Sequence, residues 1–172
     1  MKIFPVLAAA FLTRVDKKSL SGPLQTTKRE AEECFTLAVR RRLLERYINN
    51  ERYLPLTPPN LEPGDTVKQK SVLLDPNTEN EVGYVYTMAN VLDEDVRLAH
   101  GAYNITAGDR TGLINFSALI SNDAVTDTFD VAITSGTGMF HSAQGYIILS
   151  PWNETNGFLE RDATLRICGL YE

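Results

Sequence analysis

The chain of 172 residues has very little cysteine: Cys34 and Cys168 stand far apart, with no CxxC pair and no Cys/His spacing of the kind that holds structural zinc. They make at most one disulfide. Basic charge is not in surplus either, since 17 Lys and Arg are set against 22 Asp and Glu for a net charge of -5. The footprint of a nucleic-acid or anionic-lipid binder is therefore missing, and the local run Arg40-Arg41-Arg42 does not reverse it. Histidine occurs only twice, GxSxG is absent, and no glycine-rich phosphate loop occurs, so hydrolase triads and nucleotide sites lack their parts. Any activity is expected to need no metal, nucleotide or flavin. No apolar run is long enough to span a bilayer: positions 3–12 are nearly all apolar, but Arg14 and Lys17-Lys18 follow.

What is present is ordinary globular composition, 43% hydrophobic and 23% charged, enough for one domain with its own core. The basic start, the short apolar stretch and the small residues Ala8, Ala9 and Ala10 look like a secretory signal. An N-terminal lead laid against the body explains positions 1–20 as economically. The protein is accordingly expected to be either secreted or vesicular, or cytoplasmic. Sequons at Asn104, Asn115 and Asn153 fit secretion but are close to the chance number for this composition.

Positions 21–63 change character. Gly22-Pro23 breaks the chain, Thr27 with Glu30 three residues later resembles a capping box, and Ala31, Phe35, Val39, Leu43 and Tyr47 continue as a helical stripe. The alternation Phe35, Leu37, Val39 also fits a strand; the first half is read as helix, and 43–49 stays open between the two. Pro55, Pro58, Pro59 and Pro63 then make a connection that no helix or central strand tolerates.

From position 64 to 172 the texture is that of a β domain. Runs at 66–74, 82–92, 96–107, 110–121, 125–134, 139–149 and 158–170 are rich in Val, Ile, Thr, Tyr and Phe, and turn residues divide them. About seven antiparallel strands are predicted, and periodicity alone does not distinguish a sandwich from a closed barrel. In the first run Lys68 and Lys70 share one face, which should point outward. Gln69 and Ser71 then point inward, as satisfied core polar groups or as the wall of a ligand cavity. In the third run Arg97, Tyr103 and Ile105 share a parity opposite to His100 and Asn104. If Asn104 faces solvent, a cation and a phenol lie on an otherwise apolar inner wall. Phe129 is a further candidate for that wall. Asp123, in a turn after Asn122, and His141, between Phe140 and Ser142, are candidate acid or base groups, with an ordinary turn aspartate and a surface histidine as the plainer readings.

The stretch 133–146, Ile-Thr-Ser-Gly-Thr-Gly-Met-Phe-His-Ser-Ala-Gln-Gly-Tyr, resembles the I/V-T-G-G-T/S-G-x-F-x-x-A-x-G signature of the allene oxide cyclase and dirigent superfamily. Gly64-Asp65, Gly83, Gly108-Asp109 and Leu165-Arg166-Ile167-Cys168-Gly169-Leu170 fall in the same order as in plant allene oxide cyclases. The resemblance covers roughly residues 64–170. It implies a closed antiparallel eight-stranded, calycin-like β-barrel with an N-terminal helical or extended lead, in which the segment 35–50 must supply the eighth strand. Departures occur at the polar positions. Ala89 stands where the cyclase has its catalytic cysteine, Asp123 falls near its pocket tyrosine, and Gln69 and Ser71 fall near its pocket phenylalanine and asparagine.

The combination is similar to barrel proteins of microbial, and in particular fungal, secondary metabolism. The resemblance implies a cofactor-independent cyclase of pericyclase type, Diels–Alder or hetero-Diels–Alder, acting on a hydrophobic polyketide or terpenoid intermediate. Arg97, Tyr103, Asp123 and His141 are its candidate catalytic groups, and Gln69, Ser71, Ile105 and Phe129 its candidate substrate contacts. A dirigent-like protein that sets stereochemistry and a non-catalytic carrier of a small hydrophobic ligand are the alternatives. The expected partner is a small hydrophobic substrate, without nucleic acid or a membrane span. A homo-oligomer, dimer or trimer, stays open.

Overall fold

The computed structural model describes residues 34–53, 61–121 and 127–169. The chain divides into compact units 1–30 and 31–172, and every described residue belongs to the second. That unit is built from β1 (Cys34–Ile48), β2 (Glu51–Arg52), β3 (Thr66–Leu74), β4 (Glu81–Val91), β5 (Val96–Ala107), β6 (Arg110–Ser121), β7 (Phe129–Gly136), β8 (Gln144–Leu149), β9 (Asn153–Thr155) and β10 (Phe158–Cys168). Eight of these run β1-β3-β4-β5-β6-β7-β8-β10, each antiparallel to the next, and β10 pairs back onto β1. The sheet is a closed barrel, with β2 and β9 as short hairpin partners at one end. Closure removes the sheet edges at which strands of other chains can add.

The first correction concerns β1. The stripe Phe35, Val39, Leu43, Tyr47 suggests a helix over residues that form a strand of 15. A spacing of four satisfies both periods, because four residues make about one helical turn and two full strand repeats. Pairing on both sides decides for the strand: Val39 lies opposite Ala163 of β10, and Leu43 opposite Ser71 of β3. The proposed cap at Thr27, positions 1–33 and positions 54–60 of the Pro-rich connection lie outside the described residues. The register shifts between Leu43 and Glu45, so that Leu44 has no counterpart on β3. This bulge moves Tyr47 off the inner parity and brings Arg46 onto it, opposite Gln69.

The two ends of the barrel differ in construction. One holds the start of β1, the β3–β4, β5–β6 and β7–β8 connections, and the end of β10. There Leu73, Val85, Tyr103, Ile105, Ile114, Phe140, Ile147, Leu165 and Ile167 pack as a continuous core. A short 3₁₀ turn, Gly138–Phe140, drives Phe140 into it with no exposure at all. Two glycines of the signature stretch let backbones touch there. A Cβ on Gly136 would lie 2.0 Å from the Phe140 carbonyl oxygen, and one on Gly145 would lie 2.0 Å from that of Arg166. Cys34 and Cys168, directly opposed across β1 and β10, form a disulfide that bolts the seam at this end. The apolar layer thins toward the other end, where Val67, Ala89 and Ala99 form a separate small cluster.

Candidate functional site

The inner faces at that second end surround a cavity that opens to solvent. Val67, Ala89, Ala99, Phe116, Ile120, Val131 and Leu149 make its apolar wall. These are aliphatic side chains and one ring, all on the inward parity of their strands. Into the same space project four arginines, Arg41 and Arg46 of β1, Arg97 of β5 and Arg161 of β10. No Asp or Glu belongs to the lining among the described residues.

Arg41, Arg46 and Arg161 each have neutral hydrogen-bond partners among the described residues. Arg41 is 3% exposed and donates from Nη1 to the Tyr103 hydroxyl at 3.2 Å and from Nη2 to Thr87 Oγ1 at 3.4 Å. Its Nε is buried and has no hydrogen-bond partner among the described residues. Arg46 donates from Nε and Nη2 to the Gln69 amide oxygen at 2.9 and 3.1 Å once the amide is turned so that its oxygen faces the guanidinium. Arg161 donates from Nε to the Ser150 carbonyl at 2.7 Å, which also fixes the segment carrying Trp152. The Trp152 ring serves two cations, with the Arg161 guanidinium 4.8 Å and that of Arg41 5.6 Å from its centroid. Phe129 carries Arg161 at 5.0 Å, and Tyr103 carries Arg41 at 5.6 Å.

Like charge confined in an apolar chamber shows in the acidities. Burial and then the charge of Arg41 push Arg161 down from the usual guanidinium range to about 9, with Tyr103 partly opposing. Burial and then Arg97 lower Arg46, while Tyr53 pulls it back up; burial lowers Arg97. Arg161 still carries its proton at neutral pH. The neighbours of Arg41 in sequence show the contrast: Arg40 and Arg42 face outward and pair with Glu79, Asp162 and Glu160.

The structure treats the predicted residues unequally. Arg97, Gln69 and Phe129 line the cavity. Tyr103 is fully buried beneath it and acts on it through Arg41. Ser71 and Ile105 are also inward and fully buried, but in the packed layer below, so they are not contacts of the chamber. Ser71 Oγ has no partner there. His141 lies at the opposite end, exposed beside the 3₁₀ turn with Nδ1 3.0 Å from Ser142 Oγ, too remote to serve as acid or base for this chamber. Asp123 lies outside the described residues. Lys68 and Lys70 are on the outer face, where Lys70 rests on the Tyr84 and Tyr86 rings. Ala89 is a wall residue of the chamber.

Sequence reasoning missed Arg41, Arg46, Arg161 and Trp152. A signal existed for Arg161, which shares parity with Ala163, Leu165 and Ile167 on a strand whose other face is polar. Arg41 was hidden inside a basic triplet, and Arg46 by a bulge that sequence does not announce.

Among the described residues no three His, Cys, Asp or Glu side chains converge as metal ligands, and no helix is long and apolar enough to cross a membrane. No known protein-family profile matches the chain, and no curated protein matches it in sequence. Solved structures do match in shape. A pterocarpan synthase dirigent protein superposes with a TM-score of 0.64 at 15% identity over 81% of this chain and 92% of its own. A Diels–Alderase from Streptomyces koyangensis gives 0.56 at 18% identity over 79% and 64%, respectively. An exo-specific intermolecular Diels–Alderase gives 0.55 at 12% over 80% and 99%. At these identities the likeness is one of fold: the chain has the barrel shared by dirigent proteins and Diels–Alderase cyclases.

Proposed function

We propose that the protein is a cofactor-independent cyclase of pericyclase type, which folds a linear polyketide or terpenoid intermediate into the open end of the barrel. The observation that carries this reading is the chamber itself: an apolar wall on paired strands with a few cationic donors among the described residues. A [4+2] closure needs no more than that. Two new σ bonds form at the expense of two π bonds, no proton or electron leaves the substrate, and product and substrate are isomers. Holding diene and dienophile in near-attack geometry is worth about 7 kcal/mol or more in well-oriented cases. A guanidinium bonded to the dienophile's carbonyl draws electron density from it as the bonds form. Arg41, which lines the chamber and is held by Tyr103 and Thr87, is the donor assigned to this, and Tyr103 is its positioning residue.

The names of the structural neighbours support the same class, since two of those reported are Diels–Alderases. The signature over 133–146 supports a link to the allene oxide cyclase branch, and an origin in microbial, fungal secondary metabolism belongs to the same reading. The disulfide supports secretion or residence in a vesicle, where thiols oxidise. The exposed Leu98, Leu113 and Leu119 on the outer faces of β5 and β6 support a homo-oligomer, dimer or trimer.

The test is turnover by the purified protein of linear precursors carrying a diene and an activated alkene. The expected product is a single cyclised isomer of unchanged mass, and Arg41→Met should lower kcat by about 10²–10³, as for loss of one transition-state donor. Recovery of unchanged ligand from the barrel would make the protein a carrier. Stereochemical bias only when a separate oxidant generates the intermediate would make it dirigent-like.

A further inference from the structure

Below Arg97 and Ile120, the inward rows of β5 and β6 change from open to filled. Ala99 stands opposite Ala118, then Gly101 opposite Phe116, then Tyr103 opposite Ile114, the last pair with no exposure at all. A pair of alanines leaves a bore open and a tyrosine beside an isoleucine fills it, so the row between them decides where the chamber stops. That row holds one large side chain on these two strands. Phe116 is 4% exposed, lines the chamber and also belongs to the packed core beneath it. Its ring rests on that of Tyr103, with centroids 5.7 Å apart and planes at 60°. It also covers Gly101, where a Cβ would stand 2.7 Å from Phe116 Cζ and 2.8 Å from Cε1. Only a residue without a side chain leaves the ring this place against β5. The other groups of the row are already engaged: Thr87, opposite Gly101, bonds Arg41, and Gln69, opposite Thr87, bonds Arg46. Ile133, opposite Phe116 on β7, is buried in the core and does not line the chamber.

We propose that Phe116, seated over Gly101, is the depth stop of the chamber and selects its ligand by length. An apolar chain that enters from the mouth passes the Ala99 wall and ends against the Phe116 ring. Removing the ring joins the space over Gly101 to the chamber and leaves Tyr103 as the floor. The ligand class that follows is a molecule with an extended apolar part of bounded reach, since whatever exceeds the depth stays in water and gains nothing from burial. The inference rests on the reading that this chamber binds a small molecule, and it adds to that reading the residue that limits substrate length.

The probes are the straight-chain alcohols from 1-butanol to 1-dodecanol, with binding measured by calorimetry. Each methylene buried in the chamber should tighten binding by about fourfold, until the chain is as long as the chamber is deep and affinity levels off. Phe116→Ala should move that plateau to chains longer by about two methylenes or more, and Phe116→Leu by about one. Ile120→Ala, which removes apolar wall from the same strand nearer the mouth, should weaken binding at every length and leave the plateau where it is. That control separates a depth stop from a loosened barrel. A plateau at the same length in wild type and in the Phe116 variants, or an equal shift in Ile120→Ala, overturns the proposal. Should Phe116→Ala fail to fold by circular dichroism, Phe116→Leu decides. Failure of the underlying readings is distinguishable: absence of binding by every alcohol removes the small-molecule chamber and this inference with it. A plateau that follows Phe116, without turnover of any linear diene, removes the cyclase and leaves the depth stop standing.

Discussion

The two ends of this barrel use the same strands for opposite purposes. At the closed end the inward positions are Leu, Ile, Val, Tyr and Phe in direct contact, backbones approach closely at glycine, and a disulfide ties the seam. At the open end the same strands turn inward arginine, glutamine, threonine and alanine, and the middle is left empty. One end is built for stability and the other gathers partly buried cationic side chains around a cavity, which is what a binding site retains at the expense of folding free energy.

The comparison breaks most visibly if the closed end tolerates change. Gly145→Ala and Gly136→Ala each place a methyl group 2.0 Å from a carbonyl oxygen of the adjoining backbone, which no rotamer relieves. Each should cost about 4 kcal/mol or more and show as loss of the cooperative urea transition. Next comes the seam. Replacing both cysteines by serine frees a loop of 134 residues in the unfolded chain. The stability loss should approach about 5 kcal/mol by the chain-entropy estimate, visible as a lower urea midpoint in the variant and in the reduced wild type.

Smaller effects belong to the open end. Tyr103→Phe keeps the ring but removes the acceptor of Arg41 Nη1, so unfolding free energy should fall by about 1 kcal/mol, read as a lower urea midpoint. Arg161→Met should stay within about 1 kcal/mol of wild type, because a lost hydrogen bond to Ser150 is offset by relief from a desolvated cation. Its pH dependence is the sharper measurement. The folded protein binds the Arg161 proton more weakly than the unfolded chain does, so the associated cost is fully present below pH about 9. Above that pH the unfolded state holds more protons, and wild-type stability rises relative to the variant. Urea midpoints of the two proteins measured from pH 7 to 10.5 should converge or cross in that direction; parallel curves would mean that Arg161 is not strained.

Legibility in the sequence followed the range of the interaction concerned. The inward parity of Gln69 and Ser71 was readable from Lys68 and Lys70, because alternation is local. That of Arg97 and Tyr103 was readable from Asn104 in the same way. What those parities did not say is depth along the barrel: Gln69 and Arg97 reach the chamber, while Ser71 and Ile105 are sealed under it, a difference set by where Phe140 and its neighbours fill the bore. His141 had the right chemistry and lies at the wrong end, since proximity in a signature stretch is not proximity to the cavity that the stretch helps to close.

By itself the sequence determined a β-rich chain with turns near their observed places, an outer face at Lys68 and Lys70, and a small-residue stretch at 133–146 that brings backbones together. These rest on side-chain volume and on the two-residue repeat, which neighbouring residues express without help. Only the tertiary structure decided that 34–48 is a strand, that its bulge aims Arg46 inward, that Arg41 and Arg161 oppose one another, and that Cys34 meets Cys168. The bulge is set by the pairing of β1 with β3, and the others depend on the pairing of β1 with β10 across more than a hundred residues, a contact that no local pattern encodes and that barrel closure enforces.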